Sequence, residues 1–235
     1  MVYLLSLIIL MAMEISQQPL VDTKTYHVKK IQETELSISG KGDSPLWKQA
    51  NVLTDFAYPW ESGEPPFTSF RALHNKDWLY CLYDVKDDNI NVYVNTNDKS
   101  EVVHSDRVEI FFRKDNRMSP YYGLELDPLA RILDYEAEYH RKFNDKWTWP
   151  SGQLIVKANR RKDGYTVEIA IQKKSLLQLG ILNGNSIEAG LFRGNCVEID
   201  LKDDKKIKWI SWVKPASETP DFHIPSAFGV LMLED

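Results

Sequence analysis

The sequence predicts an all-β protein: an antiparallel β-sandwich, immunoglobulin-like or jelly-roll-like, with one short helix. Three observations carry that expectation. Apolar residues recur with a period of two, paired runs are split by short polar turns, and a single short segment has helical character. Two sheets that each carry an apolar face bury both by stacking. At 235 residues, 43% hydrophobic and 11% aromatic, the chain can enclose a sizeable core and is expected to form one large domain.

Taken in order, the chain opens on an apolar run from Val2 to Met13 that stops at Glu14. The run is too short for a membrane span, which needs about 20 residues. Its length suits the apolar part of a secretory signal, although no Lys or Arg precedes it. Residues 1–16 are therefore expected to be an export signal, and 17–235 the single domain of a periplasmic or extracellular protein without a membrane span.

Two hairpins follow from period and turn chemistry. Thr68 to Leu73 and Trp78 to Val85 flank a polar turn at His74 to Asp77, and Leu154 to Arg160 and Tyr165 to Ile171 flank a turn at Arg161 to Gly164. In the last strand Tyr165, Val167, Ile169 and Ile171 share one face. Further strands are expected at Arg107 to Arg113, Tyr122 to Leu126, Ile132 to Tyr139, Ile187 to Ile199, Ile207 to Val213 and Phe228 to Leu233. The segment KKSLLQLG at 173–180 reads as the helix, with Gly180 as its stop. Cys81 and Cys196 each sit in an apolar, strand-like run and read as core residues rather than a disulfide or zinc ligands.

A net charge of −5 with scattered basic residues carries no nucleic-acid footprint. There is no Gly-rich phosphate loop, no GxSxG and no HExxH. Carboxylates cluster near strands, with Asp106, Glu109, Glu125, Asp127 and Asp134 in succession. A glycoside hydrolase acting through Glu109 with Glu125 or Asp127 is the enzymatic alternative. Aromatic and polar residues also mix, in WTWP at 147–150, in Trp209 and Trp212, and in Phe222 and His223 beside LFRGN at 191–195. Sugars present flat C–H faces and rims of hydroxyls, which aromatic rings and charged or amide groups match. In a regular strand Trp209 and Trp212 fall on opposite faces, so one of them points inward. Phe222 lies in a loop held by Pro220 and Pro225, and a loop fixed in this way loses less entropy on binding.

The segments SPLWKQA, FRALHNKDWLYCLYDVKD, SDRVEIFF, YYGLELDPLARILDYEAEYHRKF, GYTVEIAIQKKSL and FHIPSAFGVLML, in this order, resemble the family 9 carbohydrate-binding modules and their free-standing bacterial relatives. The resemblance spans roughly residues 30 to 234. It implies a β-sandwich that binds saccharides without catalysis, works in carbohydrate catabolism beside polysaccharide-degrading enzymes, and often carries structural calcium. No cofactor is required for such binding. Of the family's two clamp tryptophans, one position is Val103 here and the other Phe222; the clamp glutamate matches Glu109. The ligand-binding set expected is Phe222, Glu109, Glu125, Arg193, His223, Trp147 and Trp149. The loop DVKDDN at 84–89 is the candidate for calcium.

Overall fold

The computed structural model describes residues 23–32, 35–202 and 206–235. The expected export signal at 1–16 lies outside the described residues. Among the described residues there are thirteen strands, eleven on one continuous path and two more paired to one member of that path, and they fold into two packed sheets. In chain order they are β1 (Thr25–Lys30), β2 (Thr68–His74), β3 (Trp78–Lys86), β4 (Arg107–Arg113), β5 (Tyr121–Leu126), β6 (Ile132–Glu138), β7 (Lys142–Asn144), β8 (Leu154–Arg161), β9 (Gly164–Gln172), β10 (Leu182–Asn183), β11 (Ser186–Cys196), β12 (Ile207–Ser211) and β13 (Gly229–Leu233). The helix, α1, spans Lys173–Gln178 and stops before Gly180, whose φ of +70° few other residues adopt.

The first sheet runs β7-β6-β5-β4-β11-β13-β1, with β10 and β12 also on β11; the second runs β1-β2-β3-β9-β8. β1 belongs to both, pairing with β13 through Thr25 to Val28 and with β2 through Lys29 and Lys30. Both pairings are parallel, so the expected antiparallel order holds everywhere except at this joining strand. Parallel pairing needs a long connection, and residues 31–67 supply one between β1 and β2.

Alternation decides what fills the interior. Val108, Ile110 and Phe112 of β4 face Cys81, Tyr83 and Val85 of β3 and the Tyr165 to Ile171 stripe of β9 across the sandwich, all fully buried. At about 25 cal/mol per Å² of apolar surface, this core is the main source of stability. Two further apolar clusters lie outside it. One, around Phe111, Tyr135, Phe192 and Phe222, covers the outer face of the first sheet; the other, around Trp47, Tyr80 and Leu82, covers that of the second. Neither outer face is left bare, because loops fold back over both. Cys81 and Cys196 are buried and free. Among the described residues no helix is long and apolar enough to cross a membrane.

Candidate functional site

The outer face of the first sheet holds a cleft of about 510 Å³. Its floor follows from the alternation of β4: Val108 and Ile110 point into the sandwich, so Arg107, Glu109 and Phe111 point out. Glu125 of β5 stands directly opposite Glu109, and Gly194 of β11 directly opposite Arg107. Gly194 makes room for the guanidinium, since a Cβ there would lie 3.1 Å from Arg107 Nη1.

The three charged groups form one unit. Arg107 Nε donates to Glu109 Oε1 at 2.8 Å and lies 2.7 Å from Glu125 Oε2. Arg107 Nη1 donates to the carbonyls of Val103 at 2.8 Å and Ser105 at 3.3 Å. Nε carries one hydrogen, aimed at Glu109, so Glu125 Oε2 is buried without a hydrogen bond. Tyr135 Oη donates to the other oxygen, Oε1, at 3.2 Å. Burial, and then the charge of Glu125, push the Glu109 carboxyl up to about 8, outweighing the pull of Arg107. Two buried carboxyls facing one guanidinium thus retain a proton near neutral pH.

Aromatic rings wall the cleft. Trp209 lies over the Arg107 guanidinium, 5.0 Å from ring centroid to Cζ, and Trp60 is anchored by its Nε1 donating to the Ser217 carbonyl at 2.9 Å. Between them Phe222 stacks on Phe192 with centroids 4.0 Å apart and planes 12° from parallel. Phe192 covers that face of Phe222, which is only 5% exposed, so the more open aromatic surface comes from half-buried Trp60 and Trp209. His223 stacks on Phe111 at 5.0 Å, with Nδ1 3.0 Å from Tyr121 Oη. Burial, followed by the nearby Arg141 charge, lowers its pKa to about 3, so it acts as a neutral hydrogen-bonding ring. Asp221 accepts from Arg141 Nη2 at 2.9 Å and sits 2.7 Å from His140 Nε2, tying the loop before β7 to the proline-flanked segment.

A model of the carbohydrate family 9 binding domain-like family matches residues 38–235. The chain belongs to that family. Among solved structures, a candidate carbohydrate-binding protein from Bacteroides uniformis superposes with a TM-score of 0.68 at 20% identity, covering 90% of this chain and 100% of that one. A family 9 carbohydrate-binding module from Caldicellulosiruptor kristjanssonii in complex with glucose gives 0.56 at 18%, covering 90% and 96%. The same organism's module with cellotriose gives 0.54 at 19%, covering 90% and 94%. At these identities the likeness is one of fold. A search of the curated proteins finds no match.

Within this family member the expected site residues separate into two groups. Glu109, Glu125, Phe222 and His223 line the cleft, and so does Val103, the position of the other clamp ring. Arg193, Trp147 and Trp149 are not brought there. Arg193 follows Phe192 on β11, so alternation turns it away from the cleft; it is fully buried and binds Asp87 and Asn195 through Nη2, each at 2.7 Å. Trp149 donates from Nε1 to Ser175 Oγ at 3.0 Å, and Trp147 packs 5.2 Å from the Tyr122 ring, both against the intersheet core. Trp60, Trp209, Arg107 and Arg141 line the cleft without having been singled out for it. The spacing of Arg107 and Glu109 in DRVEIFF could have revealed two charges on one strand face. Trp212, fully inside the intersheet core, leaves Trp209 as the outward member of its pair.

The loop at 84–89 does not fit calcium. Asp84 binds Arg161 at 2.7 Å and Asp87 binds Arg193 at 2.7 Å, so guanidinium groups already take the carboxylates a cation would use. Among the described residues no group of three or more His, Cys, Asp or Glu is placed to hold a metal.

Proposed function

We propose that the cleft binds a saccharide without cleaving it, with Trp60 and Trp209 against the sugar's C–H faces and the Arg107–Glu109–Glu125 group hydrogen-bonding its hydroxyls. The observation that carries this reading is Glu125 Oε2, a buried acceptor that is ion-paired with Arg107 but has no hydrogen bond among the described residues, at the floor of an aromatic-walled cleft. A buried polar atom in that state gains most from a ligand donor. Membership of the family supports the reading, as do the glucose and cellotriose bound by related folds.

The geometry favours binding over hydrolysis. A glycosidase places two carboxyls across one bond, with the substrate between them. Glu109 and Glu125 instead converge on the same nitrogen of Arg107, at 2.8 and 2.7 Å, from adjacent strands on one floor. The space between them holds a guanidinium. The wider role follows from the family resemblance and the apolar N-terminal run: an exported protein of carbohydrate catabolism, acting beside polysaccharide-degrading enzymes and needing no cofactor for binding. A glycan array, with reducing ends measured after incubation on xylan and cellulose, tests the reading. Binding without new reducing ends is expected; reducing ends that scale with protein and vanish in Glu109→Gln would overturn it.

A further inference from the structure

A second groove, of about 240 Å³, lies on the outer face of the second sheet, on the opposite side of the sandwich from the cleft. Its floor is aromatic. Trp78 and Tyr80 are neighbours on one face of β3, with centroids 6.3 Å apart and planes within 25° of parallel, so that buried Tyr80 supports Trp78, the ring open to the groove. Tyr80 is fully buried, its hydroxyl accepting from Leu36 N at 3.3 Å and Asn75 Nδ2 at 3.4 Å, whereas Trp78 is half-buried.

The walls differ in chemistry from the floor. The segment that carries Glu35 and Leu36 crosses the sheet on one side, and Ile155 and Lys157 of β8 rise on the other. β8 is the last strand of its sheet. Leu36 is buried and pins its segment down, while Glu35 and Lys157 are exposed and make no hydrogen bond or ion pair among the described residues. An acceptor and a donor, both unengaged, therefore flank the half-buried Trp78 ring, with the exposed Ile155 beside Lys157 on the β8 wall.

We propose that this groove is a second saccharide-binding site, taking a neutral segment of polysaccharide with its C–H face on Trp78 and its hydroxyl rim between Glu35 and Lys157. A wholly apolar partner would leave both charges desolvated, and an anionic or cationic one would be repelled by one of them. A flat, extended chain with hydroxyls on both edges satisfies all three surfaces at once. Two sites on opposite faces let one domain hold two chains, or two stretches of one chain, with a gain in avidity rather than in single-site affinity. The inference is independent of the cleft's occupancy.

Affinity electrophoresis of the full chain through gels containing hydroxyethyl cellulose, arabinoxylan or laminarin tests it, comparing the parent with Trp78→Ala, Trp209→Ala and the double variant. Trp78→Ala is expected to weaken retardation about tenfold, Trp209→Ala to leave residual retardation, and the double variant to migrate freely. The paired exposed substitution Glu35→Ala/Lys157→Ala gives the same readout if Trp78→Ala fails to fold. Unchanged retardation in both groove variants overturns the second site, including the case in which the free edge of β8 recruits a peptide strand instead. Loss of retardation in Trp78→Ala with none in Trp209→Ala would uphold the groove while removing the cleft reading.

Discussion

Glu109 and Glu125 stand opposite each other on β4 and β5 and share a single nitrogen, Arg107 Nε, at 2.8 and 2.7 Å. Like charges directly across a strand pair repel, and burial sharpens the repulsion. The pair is tolerated because a guanidinium lies against it and because Glu109 holds its proton. The same arrangement leaves an acceptor, Glu125 Oε2, facing a cleft with two tryptophans in its walls.

Stability is expected to fall as pH rises towards 8. Glu109, raised to about 8 from 4.5, keeps in the fold a proton that the unfolded chain has already lost. Its stabilisation is complete below about pH 4.5 and declines until about pH 8. His223, lowered to about 3, acts oppositely, but only between about 3 and 6.5. Asp106, raised to about 7 by burial and then by the charge of Asp87, acts in the same direction as Glu109, so from pH 6.5 to 8 the two carboxyls lower stability together and Glu109→Gln removes only its own share. Urea denaturation at several pH values should show that slope in the parent and a flatter one in Glu109→Gln.

Trp209→Ala should leave the fold intact and weaken saccharide binding by about tenfold or more, because the half-buried ring contributes little to the core but forms the cleft wall over Arg107. Trp60→Ala should behave alike. Circular dichroism and calorimetric titration of the same samples separate folding from binding.

Arg193→Met should do the reverse. Its guanidinium is fully buried against Asp87 on the side of β11 away from the cleft, so its removal strands a carboxylate and should cost about 3–5 kcal/mol of stability. The folded fraction should bind saccharide with the parent's affinity. A binding loss without a stability loss would return Arg193 to the site.

Gly123→Ala tests how the floor is held. A Cβ at Gly123 would sit 2.2 Å from the Tyr135 ring, the ring whose hydroxyl supports Glu125. Overpacking of this kind costs about 1–3 kcal/mol. Displacing Tyr135 removes the Glu125 contact as well, so thermal melting and titration should both report a loss.

Much of this architecture is legible in the residues. Period-two runs bounded by polar turns gave the β2–β3 and β8–β9 hairpins, and the sharp stop at Gly180 gave α1, because each signal is local. β1, β7 and β10 were not anticipated: β1 is paired only by distant β13 and β2, and β7 and β10 are three and two residues long, too short for a period to show. The cleft was half legible. Glu109, Glu125, Phe222 and His223 lie on segments whose strand or proline pattern fixes them. Trp60 comes from a loop with no period, and only the fold carries it to the ring of Phe222, 5.2 Å away. Trp147 and Trp149 misled because an aromatic-rich segment does not say what its rings pack on; they lie in the connection between β7 and β8, which lays both rings on the intersheet core. Arg193 misled for the converse reason, as an arginine inside a sandwich is conceivable only once Asp87 is seen beside it.

Isothermal titration of cello- and xylo-oligosaccharides into the parent chain and Trp209→Ala tests the central claim most directly. Saturable binding by the parent that falls about tenfold or more in the variant, with no heat from hydrolysis, is the predicted result. Equal affinities in two equally folded proteins would contradict it.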